Sequence, residues 1–176
     1  MDISRPLSRR GGRTFAFWFA VLVVVTLDQA VKAAVRARLA VGEVAPLLPG
    51  VLRLEHVENT GAAFSMGEGA GVLFVLVALA VLVACVLLVW REELPLPLAA
   101  AVGCVAGGGV GNAVDRVLFG SVTDFFATTF VSFPVFNVAD VFVTCGIALA
   151  LVGYCLWDAR RTREEALAHE ACDGRS

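Results

Sequence analysis

The chain has 176 residues, 59% of them hydrophobic, and a mean hydropathy of +0.81. Soluble domains hold about 45–50% apolar residues, so this composition excludes an ordinary water-soluble fold and points to a single integral membrane domain. A net charge of −2 offers no basic surface for nucleic acid, and five cysteines without a CxxC pair, with two widely separated histidines, suggest neither a disulfide frame nor a zinc site.

Residues 1–14 carry Arg5, Arg9, Arg10 and Arg13 and read as a cytoplasmic N-terminal segment. Four apolar segments follow, at 15–35, 71–90, 94–114 and 138–157, each close to the ~20 residues that a helix needs to cross ~30 Å of hydrocarbon. The first has the basic front of a signal peptide. It is too long for one, contains Asp28, Gln29 and Lys32, and lacks a small-x-small cleavage site, so it is expected to remain as a span. After it, residues 51–57 alternate apolar and polar side chains, the period of a half-exposed strand, with Pro46, Pro49 and Gly50 as turn signals ahead of it. A small sheet resting on the bilayer surface is expected there, with Gly61 and Gly67 allowing tight turns.

The second apolar segment has no charge. The third opens on Pro95 and Pro97, tolerated at a helix start. It contains Gly103, Gly107, Gly108, Gly109 and Gly111, read first as close-packing positions and second as room beside a substrate. Residues 118–135 are rich in Phe and Val and suit an interfacial segment, while 158–176 mix Arg and Glu and read as a solvated cytoplasmic tail. The expected fold is therefore an all-α membrane protein: four transmembrane helices with a small extracytoplasmic β-sheet and an interfacial segment. Nine arginines lie on the side of the two termini and four on the other, which places both termini in the cytoplasm and residues 36–70 and 115–137 outside.

Chemistry is suggested by acids where hydrocarbon is expected. Ionised carboxylates there cost from about 2.5 to over 10 kcal/mol, so Asp124 and Asp140 mark a functional site. Two carboxylates held together cannot both ionise easily. One keeps a proton and can hydrogen-bond a carbonyl; the other can take a proton from water. Asn137 and Asp140 stand at i and i+3 at the opening of the fourth helix. Asn112, Asp115 and Arg116 stand at i, i+3 and i+4 and are expected to face one way. Asn59 follows the strand and offers an amide. Asp28 and Lys32, at i and i+4, are expected to pair and orient the site, or Lys32 to snorkel to the interface.

Five pieces together resemble lipoprotein signal peptidase, or signal peptidase II: Leu27-Asp28-Gln29-Ala30-Val31-Lys32, Asn59-Thr60-Gly61-Ala62-Ala63-Phe64-Ser65, Gly111-Asn112-Ala113-Val114-Asp115-Arg116, Val122-Thr123-Asp124-Phe125 and Phe136-Asn137-Val138-Ala139-Asp140. The resemblance spans residues 15–157, which would form one four-helix peptidase domain. It implies a monomeric aspartic endopeptidase of the bacterial inner membrane, without a cofactor or metal. It would work among membrane lipids on diacylglyceryl-modified prolipoproteins and cut just before the lipidated cysteine. It makes Asp124 and Asp140 the catalytic pair. Asn59, Asn112, Arg116, Asn137 and Gly108 would line or support the site, with Asp28, Lys32 and Asp115 behind it. Thr123 departs from the family's more usual aliphatic residue, and the stretch between Asp124 and Asn137 is compact and uncharged.

Two other classes compete. A small transporter would spread its acids through the bilayer depth, whereas here they cluster at the outer helix ends. A packing scaffold accounts for the glycines but leaves the polar cluster unexplained.

Overall fold

The structure, a computed structural model, describes residues 4–61 and 70–173, with side chains described for 10–61, 70–163 and Leu167. Residues 62–65 of the Asn59 motif, Gly67, and the side chains of Arg5, Arg9, His169, Cys172 and Arg175 lie outside that description.

Four helices are long and apolar enough to span a membrane: α1 (Ser4–Arg38), α2 (Gly71–Arg91), α3 (Leu96–Phe119) and α4 (Val138–Asp173). Helix α2, with 21 residues, matches the bilayer alone. Helices α1 and α4, with 35 and 36 residues, run past their apolar segments at the end of the bundle that carries both termini. The segment 158–173, expected as a solvated extension, is the continuation of α4.

Helix α3 is the centre of the bundle. It starts after Pro95 and stops at Gly120, whose left-handed φ of 79° lets its N–H reach back to the Arg116 carbonyl at 3.1 Å. Its glycines bring neighbours to backbone contact. A Cβ on Gly111 would lie 2.7 Å from Asp28 Oδ2 of α1, and one on Gly108 would lie 2.5 Å from the Ala139 carbonyl of α4. Phe17, Val21, Val89, Leu98, Val102 and Ala106 form the apolar core on the terminal side of this polar layer.

Three antiparallel strands cap the bundle in the order β1 (Val44–Leu48), β2 (Leu52–Asn59) and β3 (Val122–Thr128). The alternation at 51–57 is β2. Pro46 is not part of the turn, as its type suggested; it lies within β1, opposite Arg53. A proline is tolerated there because β1 is an edge strand and needs no ladder donor on its open side. The stretch 118–135, expected as an interfacial segment, holds β3 in its middle. Val122 to Phe125 are all buried, so the strand shows no alternation, while Phe119, Phe130 and Phe133 remain exposed around it.

Candidate active site

Two local devices bring the carboxylates together. Asn59 and Val122 are partners in the β2–β3 register, so Asp124, two residues on, lies diagonally across from Asn59 on the same sheet face. Asn59 Nδ2 donates to Asp124 Oδ2 at 2.9 Å. The chain then returns to β3: Phe126 and Phe136 exchange N–H···O bonds of 2.8 and 3.0 Å. That return sets Asn137 beside Asp124, and its Nδ2 donates to Asp124 Oδ1 at 2.6 Å.

Asn137 also starts α4. Its Oδ1 accepts the Asp140 N–H at 3.0 Å, and Asp140 Oδ2 accepts the Asn137 N–H at 3.0 Å. This reciprocal pair is a capping box built from Asn and Asp. The other Asp140 oxygen accepts from Asn112 Nδ2 at 2.8 Å. One buried amide therefore touches both carboxylate residues, and Asn112 Oδ1 in turn accepts from Asn137 Nδ2 at 3.0 Å and from Lys32 Nζ at 2.8 Å.

Behind this layer lies a fully buried ionic cluster. Lys32 Nζ is 2.9 Å from Asp28 and 3.2 Å from Asp115, and all three side chains are inaccessible. Lys32 does not snorkel. Asp28 Oδ1 accepts the Ala139 N–H at 2.9 Å, tying α1 to the first turn of α4. Asp115 does not line the cavity with Asn112 and Arg116. It shares Lys32 with Asn112, turns to α1 and accepts the Thr123 N–H at 3.0 Å, since on the helix it lies about 60° to one side of Asn112 and Arg116 about 40° to the other.

Three partners were not singled out as site residues in the sequence. Gln29 Nε2 donates to Asp28, Asp115 and the Gly111 carbonyl at 3.2, 2.9 and 3.1 Å. Arg36 Nη1 donates to Thr123 Oγ1 at 2.9 Å and stacks over Phe119. Asp28, Lys32 and Arg36 are spaced by four, a single-face pattern that Arg36 completes. Phe136 acts through its backbone, which no side-chain pattern reveals.

A cavity of about 550 Å³ opens over the pair. Asp124, Asp140, Asn59, Asn112, Arg116 and Asn137 supply its polar lining; Phe133, Phe136, Val141, Thr144 and Cys145 are among its other walls. Arg116 Nη2 donates to the Gly61 carbonyl at 2.8 Å and its guanidinium lies 4.8 Å from the Phe74 ring centroid, so it braces the segment after Asn59 against α2. Lys32, Asp28, Asp115 and Gly108 do not line the cavity. Among the described residues no group of three or more His, Cys, Asp or Glu side chains could hold a metal ion.

The Asp124 carboxyl is only 3% exposed, and burial pushes its pKa up from 3.8 to about 6. The Asn59 hydrogen bond opposes this, the Asp140 charge adds to it, and Asn137 and Lys32 oppose it. Desolvation wins because both amides are neutral donors and the ammonium is engaged elsewhere.

The family model for signal peptidase II matches residues 20–156, most of the chain and all of this constellation. The chain belongs to the signal peptidase II family. It is 39% identical to a lipoprotein signal peptidase of Syntrophomonas wolfei, over 85% of this chain and 99% of that one. It is 39% identical to another of Nostoc punctiforme, over 77% and 87%. A solved bacterial membrane enzyme superposes with a TM-score of 0.75 at 28% identity, over 81% of this chain and 88% of that one. Signal peptidase II membership agrees with four membrane-type helices capped by a small sheet, and it makes this chain a membrane protease.

Proposed function

We propose that the chain is an aspartic endopeptidase that removes the signal peptide from diacylglyceryl-modified bacterial prolipoproteins, cutting just before the lipidated cysteine. The observation that carries this reading is the coupling of Asp124 and Asp140 through the single buried side chain of Asn137. In this reading residues 15–157 are the peptidase domain, with cytoplasmic flanks at 1–14 and 158–176.

Asp124 is the carboxyl that burial makes reluctant to ionise, so it holds the shared proton and hydrogen-bonds the scissile carbonyl. Asp140 lies in the first turn of α4, where the positive helix end attracts a carboxylate. It takes a proton from water as the oxygen attacks the carbonyl carbon and Asp124 protonates the developing oxyanion. When the tetrahedral intermediate collapses, the peptide C–N bond breaks, the leaving amine receives the proton held by Asp140, and Asp124 recovers its own. Asn59, Asn112 and Asn137 keep the oxygens aimed, and Arg116 holds the neighbouring segment. Asp28, Lys32 and Asp115 keep α1, α3 and α4 in register behind them, and Gly108 lets α4 come close enough. The substrate enters from the bilayer, because the Val141, Thr144 and Cys145 wall lies on a spanning helix. The site then sits at the outer surface of the cytoplasmic membrane in a monomer surrounded by lipid.

The test is cleavage of a purified diacylglyceryl-modified prolipoprotein, read as a gel shift. Wild type should cleave it, and Asp124→Asn and Asp140→Asn should each lose about 10²–10⁴-fold in rate while remaining folded. Undiminished cleavage by either variant would remove that aspartate from the chemistry.

A further inference from the structure

Arg13, on α1 at the end of the bundle away from the carboxylates, has no partner among the described residues. It is 8% exposed, and its Nε is shut away without a hydrogen-bond acceptor. Among the described residues no ion pair involves Arg13. A guanidinium stays charged at every working pH, so Arg13 cannot escape burial by releasing a proton, as a lysine can. Among the described residues no group supplies the negative charge.

The location of Arg13 limits what can supply it. Arg13 precedes Asp28 by 15 residues on the stripe of α1 that also carries Phe17, Val21 and Val24. At ~1.5 Å per residue it lies about 22 Å along the axis from the polar layer, which is near the far face of a ~30 Å hydrocarbon slab. The same end of the bundle carries features of a membrane interface. Arg10, one turn earlier, lies 5.1 Å over the exposed Trp90 ring and donates to the Trp90 carbonyl at 3.4 Å. Tryptophan at the end of a spanning helix sits at headgroup level. Glu92 and Glu93, in the turn between α2 and α3, are exposed and pair with neither arginine.

We infer that Arg13 and Arg10, beside Trp90, form a binding site for the phosphate of an anionic phospholipid. The phosphate oxygens match the fork of a guanidinium. The glycerol and acyl chains of a lipid held there would run along the exposed apolar surface of α2. The site lies at the opposite end of the bundle from the carboxylate pair.

The experiment is lipid competition on the full-length protein. Native mass spectrometry of wild type with equal phosphatidylglycerol and phosphatidylcholine should show at least about tenfold preference for phosphatidylglycerol, the scale expected of two basic residues at an interface. In nanodiscs, adding phosphatidylglycerol to phosphatidylcholine should raise the Tm by several degrees. Arg13→Gln should lose both effects, and Arg91→Gln, an exposed arginine at the same end, should keep them. Equal retention of the two lipids by wild type overturns the site, whether or not Arg13→Gln folds. If inorganic phosphate stabilises wild type in phosphatidylcholine nanodiscs as well as phosphatidylglycerol does, the site takes a free anion and the lipid assignment fails. If Glu92→Gln with Glu93→Gln destabilises as Arg13→Gln does, and phosphatidylglycerol has no effect, the charge is answered within the chain and the inference is wrong.

Discussion

Asn137 uses every polar atom it has: its N–H and Oδ1 bond to Asp140, its Nδ2 bonds to Asp124 and Asn112, and its carbonyl accepts from Val141 at the start of the α4 ladder. A helix cap and an active-site clamp are the same side chain, so the site's geometry is fixed by the event that starts the helix. Asp124 stores the opposite of stability. Its folded pKa of about 6 lies above the ordinary 3.8. Between those values the unfolded chain has released a proton that the folded chain retains. Stability therefore falls as pH rises from about 4 to about 6 and then levels, a loss on the order of 3 kcal/mol. Thermal unfolding of wild type and Asp124→Asn, measured from pH 4 to 7, should show wild type losing ground to the variant in that window. A constant difference would mean that the carboxyl is not held up. The individual residues of this layer were legible because acids and amides in an apolar chain are conspicuous. Gln29 and Arg36 were not, because a single Gln and an arginine at a helix end have ordinary explanations until their partners on other elements are known.

At the scale of elements, the packing of α3 depends on where each glycine points. Gly108 and Gly109 are adjacent, yet a Cβ on the first would lie 2.5 Å from the Ala139 carbonyl, while on the second its nearest neighbour would be Ala78 Cβ at 3.9 Å. Gly108→Ala must push α4 away, at a cost of about 1–3 kcal/mol, and shifts Asp140, one residue from the contact. Gly109→Ala has room and gains helix propensity of roughly 0.5–1 kcal/mol. The two variants should therefore move the Tm in opposite directions, with cleavage reduced only in Gly108→Ala; a parallel drop in both would show that helix contact is not what separates them. The run of glycines announced close packing, but not which neighbour each one meets. Strands divided the same way. β2 alternates in its sequence and was readable, although in the fold only Arg53 is exposed and only His56 is buried. β3 is buried on both faces at its start, so its sequence resembles any apolar run. β1 hid behind Pro46, whose turn signal was overridden by its place at a sheet edge.

Across the whole molecule, polarity is divided between two ends. The carboxylate layer and the sheet occupy one end of the bundle, and the termini, the α2–α3 turn and the arginine-rich ends of α1 and α4 occupy the other. In the proposed topology four crossings return the chain to the side where it began, so the two termini would share a compartment, and the arginine excess would make that compartment the cytoplasm. The consequence extends to function. In that proposed orientation a substrate lipidated at the outer leaflet would meet the aspartates there, while the apolar cavity wall would receive the part of its signal helix still in the membrane. The assignment depends on four true spans, and α1 is the one that its charges could betray. Asp28, Lys32 and Arg36 would hold it out of the bilayer if they were not answered within the bundle by Asp115, Asn112 and Thr123. With those partners in place the helix is long and apolar enough to cross. A green fluorescent protein fused to the C-terminus should therefore fluoresce, and alkaline phosphatase fused there should be inactive. Inserted at Gly50, in the exposed turn between β1 and β2, alkaline phosphatase should be active. An active C-terminal phosphatase would mean an odd number of crossings or an inverted protein, and an inactive one at Gly50 would turn the site to the cytoplasm, out of reach of a substrate lipidated outside.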